Sequence, residues 1–376
     1  MQITARELNR ATLDRQSLLR RERSGVVEAV RRVVALQAQQ PASPYLALWN
    51  RIAGFDPADL DAAFTRRAVV KATLMRITLH AVHADDHPVF REAMRPTLRA
   101  SRLGHRFAAA GLTPADAEDL MPRLLEFVAH PRTSRELNAW CEERLGAERS
   151  AGAWWGLKGY APLLHVPTGG PWSFGTSPSF VAARPAQPAA GAEEALRTLA
   201  LRYLAGFGPA SVADVAQFAL VQRARVRTAL RALGDAVEHV EGPDGTALFD
   251  IPGASRPPAD TPAPPRLMAM WDSVLLAHAD RTRVIPPDYR SLVIRVNGDV
   301  LPTLLVDGYV AGVWRPVEGG IEATAFHDLS PAAWDGLASE AASLTRLLAP
   351  RDPRVYSRYG HWWAKLPQAR VRILPG

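Results

Sequence analysis

Three successive stretches of this 376-residue chain read as helices followed by a short β-hairpin. That repetition predicts a mainly helical α+β fold of tandem winged helix-turn-helix units, completed by a C-terminal β-meander and helix. Two further observations agree. Dipeptides that close tight hairpins recur where strands must reverse, at Asp244-Gly245, Asn297-Gly298 and Asp307-Gly308. Neither Gly-x-Gly-x-x-Gly nor a Gly-Lys-Ser/Thr phosphate loop occurs, which argues against dinucleotide-binding and nucleotide-hydrolysing folds. The expected division is 1–110, 111–190 and 191–256 for the three units, with 257–376 a β-rich region packed on them.

In the first unit, Val26, Val27, Ala29, Val30, Val33, Val34 and Leu36 recur at helical spacing, predicting a helix over 25–39. It should fray near Gln39, because Pro41 pushes Gln40 out of the α region. A helix over 43–53 follows. Asp56 and Pro57 form a cap and first position for another. The β-rich run 69–83 suits two strands, and a helical stretch from Asp85 to about Ala110 closes the unit. The second begins at Thr113-Pro114 with a helix to Val128, then helices over 134–145 and 151–164. Strands at 163–166 and 169–175 would form its wing. The third has helices over 193–206, 210–220 and 223–233, with a hairpin of 237–240 and 247–251. A proline-rich connector spans 253–265 and reads as extended and semi-rigid. Strands are expected at 292–296, 301–306, 309–315 and 321–326, with a last helix over 331–348.

Hydrophobic residues make up 47% and charged residues 22%, a globular balance. Formal net charge is +7, and among 45 basic residues only Lys71, Lys158 and Lys365 are lysines. Arginine offers planar, bidentate donors to phosphate, so the surplus permits polyanion binding. One cysteine, Cys141, excludes an internal disulfide framework. No apolar run has membrane-spanning length and the N-terminus lacks a signal pattern, so a cytoplasmic protein is expected. Histidine spacing offers no metal site, and no cofactor is expected.

The run Leu36-Gln37-Ala38-Gln39-Gln40-Pro41 ends an apolar helix in amides rather than charges. On an ideal helix Gln37 and Gln39 stand about 200° apart, but at a frayed terminus both could address one small site. An amide donates and accepts, which suits holding a water or reading a base. Taken alone, a polar helix end is the plainer reading.

That motif, the following Pro44–Arg51 run, the segment Thr73–His80 and the later Leu276–Ile285 together resemble the AlkZ/YcaQ-like family of tandem winged-helix proteins. These are bacterial DNA glycosylases that excise bulky or crosslinked alkylated purines, and the resemblance covers most of the chain. It implies Gln37 and Gln39 as the catalytic Gln-x-Gln of the double-glutamine branch, and duplex DNA carrying alkylated purines as the partner. Repair of alkylation damage or self-resistance to an antibiotic is the implied role, carried out by a nucleoid-associated monomer.

Other residues bear on DNA. Arg223, Arg225, Arg227 and Arg231 crowd one candidate recognition helix, with Arg223, Arg227 and Arg231 sharing a face. They read as a phosphate-contacting row or a solvated arginine face, at even odds. His278, Asp280, Arg281 and Arg283 read as a DNA-contacting or bracing cluster. Arg76, Thr78 and His80 alternate with Ile77 and Leu79, as on a strand with one polar face. If that strand lies beside the glutamines, Arg76 and His80 line the same cavity. Trp154-Trp155 and Trp362-Trp363, with Trp49 and Trp271, could stack on bases, though most tryptophans are core.

An N7-alkylated purine is already a good leaving group, so positioning one water should suffice, and a neutral amide can do that. The rival readings are a lesion-binding protein without base release and a transcription regulator. No effector module or dimerisation helix supports the latter.

Overall fold

The computed structural model describes residues 2–184, 191–367 and 370–375. It is a mixed α+β protein, mainly helical, with most strands in two sheets. Strands are numbered β1 Leu36–Gln37, β2 Val69–Thr73, β3 Leu79–His83, β4 Arg132–Thr133, β5 Leu163–Val166 and β6 Ser179–Ala182. These six form one sheet in the order β1-β3-β2-β5-β6-β4. The joint between its halves is the β2–β5 pairing, Lys71 opposite His165. The first 184 residues are therefore stitched together by backbone hydrogen bonds.

Helix starts follow their caps. Asp56 accepts from Ala58 N at 2.8 Å, Thr113 and Asp116 form a capping box, and Ser211 with Asp214 forms another. Helix Ala192–Phe207 packs on helix Asp86–Arg102 and leads into helices Val212–Ala219 and Arg223–Ala232. A hairpin of β7 Glu238–Glu241 and β8 Ala247–Asp250 follows. Beyond the connector lie β9 Arg266–Leu267, β10 Thr303–Val306, β11 Tyr309–Val317, β12 Gly320–Ala325 and β13 Arg370–Pro375. They form a second sheet in the order β13-β12-β11-β10-β9, covered by helix Pro331–Leu348. Asp307-Gly308 makes the two-residue turn between β10 and β11, with φ of 51° and 82°.

The structure corrects several expectations. The helix expected over 25–39 stops at Arg32, because Val34 turns left-handed at φ 72° and the chain enters β1. A β-branched residue rarely adopts that conformation. It persists here because Val34 is fully buried against Gly206, where an added Cβ would lie 2.6 Å from Val34 Cγ2. Residues 169–175 form no strand: the partner of β5 is β6. The helix expected over 151–164 runs Ala147–Tyr160. The strand expected at 292–296 is a short helix, Arg290–Val293, closed by a single bridge from Ile294 to Val300. Strands β4, β9 and β13 are short or lie at the C-terminal end and were not anticipated, nor was helix Ala5–Arg15, although Thr4 and Glu7 cap it with a capping box.

Candidate active site

Gln37 and His80 are paired residues on neighbouring antiparallel strands, so their side chains share one face of the sheet. Gln37 is buried at 5% exposure and accepts at Oε1 from Arg76 Nη2, 2.8 Å away. Arginine only donates, so the contact fixes which end of the amide faces it. Gln37 Nε2 has no protein partner among the described residues. Ala38 N bonds to Leu79 O, and the chain then bends, leaving Gln39 exposed. Gln37 thus sits on extended chain rather than a helix end, and Gln39 lies in the bend that follows the strand.

Arg76 is not on a strand. It and Ile77 are left-handed, at φ 54° and 58°, in the tight turn between β2 and β3. Residues held this way cluster where a site needs a fixed geometry. Val34, Arg76 and Ile77 all lie close to Gln37 in the chain or across the sheet. The turn swings the Arg76 guanidinium back over the sheet, where it meets Gln37, stands 3.3 Å from His80 Nε2 and lies over the Phe218 ring at 5.6 Å. His80 Nδ1 faces the Thr78 carbonyl at 3.1 Å. That carbonyl can only accept, so Nδ1 carries the proton and Nε2 accepts from Arg76. Burial, and then the Arg76 charge, push the His80 pKa down to about 3. The imidazole is neutral at any working pH and serves to hold Arg76.

Burial and the neighbouring Arg281 draw Arg76 down to about 10, and its Nη1 is enclosed without a partner. Arg281 donates through Nη1 to the His278 carbonyl, and its Nε is likewise enclosed and unpartnered. Arg76 thus meets Gln37 directly, and Arg281 stands close enough to act on the Arg76 charge. The remaining members of that cluster are braces. His278 is buried at 3% exposure with Nε2 3.0 Å from Phe207 O, so it cannot meet DNA in this arrangement. Asp280 caps the Arg281–Arg283 turn through Thr282. Arg283 donates to Pro209 O at 2.8 Å. Asp214 and Tyr203 belong to the same network: Asp214 accepts from Ala279 N, and the Tyr203 hydroxyl donates to Ala277 O. Sequence reading missed both: the Ser211–Asp214 capping box marks a helix start and not this network, and Tyr203 stands in no motif.

On helix Arg223–Ala232, Arg223, Arg227 and Arg231 are exposed along one face, with no carboxylate partner among the described residues. Arg225 points elsewhere and pairs with Glu193 at 2.8 Å. No group of residues suited to a metal ion occurs among the described residues, and none of their helices is long and apolar enough to cross a membrane.

A buried neutral amide held by a guanidinium is an arrangement that can orient a polar ligand such as a water. The chain belongs to the AlkZ-like DNA glycosylases, whose family model matches residues 30–347, and it is a DNA glycosylase. It is 25% identical over 349 residues to an interstrand DNA cross-link repair glycosylase of Streptomyces sahachiroi, covering 89% of this chain and 94% of that protein. The solved structure of Streptomyces sahachiroi DNA glycosylase AlkZ superposes with a TM-score of 0.81 at 23% identity, covering 93% of this chain and 98% of that one.

Proposed function

We propose that this chain hydrolyses the N-glycosidic bond of N7-alkylated purines in duplex DNA, bulky adducts and interstrand crosslinks included, using a water held by Gln37 and Gln39. The observation that carries this reading is the fixed amide of Gln37, bound through Oε1 to Arg76. That contact leaves Nε2–H and the second lone pair of Oε1 to grip a water. An amide whose oxygen already accepts from a cation is a poor base, so it orients the water rather than deprotonating it early. N7 alkylation makes this sufficient: the cationic purine departs readily, and the sugar needs a nucleophile already in place. Arg76, with Arg281 near it, puts positive charge behind Gln37, a field suited to the anionic DNA backbone. The name of the Streptomyces sahachiroi relative supports crosslinked DNA as a substrate.

On this reading the protein acts as a monomer. The exposed face of Arg223, Arg227 and Arg231 meets phosphates, and the units divide near 110, 190 and 256. The test is base release from duplexes carrying a single N7-methylguanine or a nitrogen-mustard crosslink. Wild type should release the base. Gln37→Ala and Gln39→Ala should each lose excision while keeping affinity for DNA. Equal loss of binding and release in both variants would make the glutamines contact residues and overturn the mechanism.

A further inference from the structure

Two arginines lie over Trp155, a ring the sequence offered only as a base stacker, and a lysine stands beside them. Arg102 ends helix Asp86–Arg102, Arg106 lies in helix His105–Ala109, and Trp155 and Lys158 stand on helix Ala147–Tyr160. The Arg102 and Arg106 guanidiniums lie 5.0 Å and 5.1 Å from the half-buried Trp155 ring centre. Lys158 is close enough that both arginines depress its pKa, after burial. None of the three forms an ion pair among the described residues, and Arg102 Nε is enclosed without a partner. Like charges drawn together with no counter-charge call for an anion.

The helix surface is shaped for this. An added Cβ at Gly156 would lie 2.4 Å from Phe107, and one at Gly159 would lie 2.5 Å from Arg102 Nε. Gly159 therefore lets the Arg102 side chain lie against the helix, while Gly156 admits Phe107 and the Arg102 carbonyl. Arg102 Nη2 donates to the Ile77 carbonyl at 3.2 Å. Ile77 follows Arg76 in the left-handed turn that holds Gln37.

We propose that Arg102, Arg106 and Lys158 clamp one backbone phosphate of the bound DNA, and that Arg102 transmits its occupancy to the Arg76–Ile77 turn. Arg102 is thus a positioning residue with two ends: phosphate at Nη1, which is neither enclosed nor bonded within the protein among the described residues, and the active-site turn at Nη2. The inference rests on the DNA glycosylase reading but not on the nature of the lesion.

The first measurement is affinity for undamaged duplex over a salt series, for wild type and the triple variant R102A/R106A/K158A. One shared phosphate predicts that the slope of log K against log salt flattens by about 0.9 in the triple variant. No flattening overturns the clamp. A flattening of about 2.7 means three separate contacts and overturns the shared site. If inorganic phosphate raises the Tm of wild type but not of the triple variant while the DNA slope is unchanged, the site takes a free anion and the DNA assignment falls.

The second measurement is single-turnover base release at saturating protein with R102A and with G159A, which keeps every charge but evicts the Arg102 side chain. Both should slow release about tenfold, in line with a misplaced reacting group. An unchanged saturating rate in both overturns the link to the turn. Absence of release in wild type, with the salt slope behaving as expected, would sink the lesion chemistry and leave the clamp standing.

Discussion

Replacing Arg76 with methionine separates what this residue does for stability from what it does for chemistry. The substitution deletes the donor to Gln37 Oε1 at 2.8 Å and the contact to His80 Nε2 at 3.3 Å. Hydrogen bonds to a charged group contribute about 1.5–3 kcal/mol each, so their removal alone would be felt strongly. It also removes a guanidinium whose desolvation is severe enough to draw its pKa to about 10. Apolar replacement of buried charge is often close to neutral. The two effects oppose each other, and net stability should change by no more than about 2 kcal/mol. Excision should respond differently. An unanchored amide can rotate, and misplacing a reacting group by about 1 Å costs on the order of 100-fold in rate. His80 should report the change independently, because its pKa rises from about 3 once the neighbouring cation is gone. The assays are single-turnover base release, urea unfolding and an NMR titration of His80. A variant that unfolds in step with its loss of activity, or that excises as fast as wild type, would refute the reasoning.

Asp272→Ala should destabilise by about 3–5 kcal/mol in urea unfolding, because Arg51, bound to that carboxylate by two 2.8 Å contacts and only 1% exposed, is left as an unpaired buried charge. A loss near zero would mean that Arg51 finds solvent. Gly312→Ala should cost about 1–3 kcal/mol or abolish soluble expression, since the new Cβ would lie 2.2 Å from the Thr324 carbonyl across β11 and β12. Expression and a melt at wild-type levels would contradict that. His80 and His87 are buried with pKa values pushed down to about 3, chiefly by desolvation. Below about pH 6.5 the unfolded chain protonates both while the native state does not. Their contribution is therefore intact above that pH and lost on acidification toward pH 3, by up to about 1.4 kcal/mol per pH unit for each. Stability measured from pH 7 to 4 should fall, with a shallower slope in H87F. A flat profile would show that neither histidine is held neutral.

What could be seen in the sequence was local. Asp56-Pro57, Thr113-Pro114 and Ser211 started helices because a side-chain cap acts within three residues. Asp307-Gly308 turned its hairpin for the same reason. What was missed depends on residues distant in sequence. The left-handed Val34 that ends the helix and sets Gln37 on a strand is possible only because Gly206 lacks a side chain. Arg76 meets Gln37 for a reason its alternating pattern misrepresented: a turn, not a strand face, aims it there. His278 was grouped with Arg281, yet one is sealed in the core and the other keeps an idle donor beside the site, a difference no periodicity encodes.

The pairing of β2 with β5 has a consequence for how the protein is made. Strand β2 leaves the ribosome long before β5 and β6, which complete its other edge only after residue 182. Until then the nascent chain carries an open strand edge flanked by the apolar Val69 and Val70, a template for unwanted pairing. The active-site turn hangs from that same strand. A truncated product ending before β5 should therefore be both inactive and aggregation-prone, and a cell making this enzyme has reason to shield its first half during synthesis.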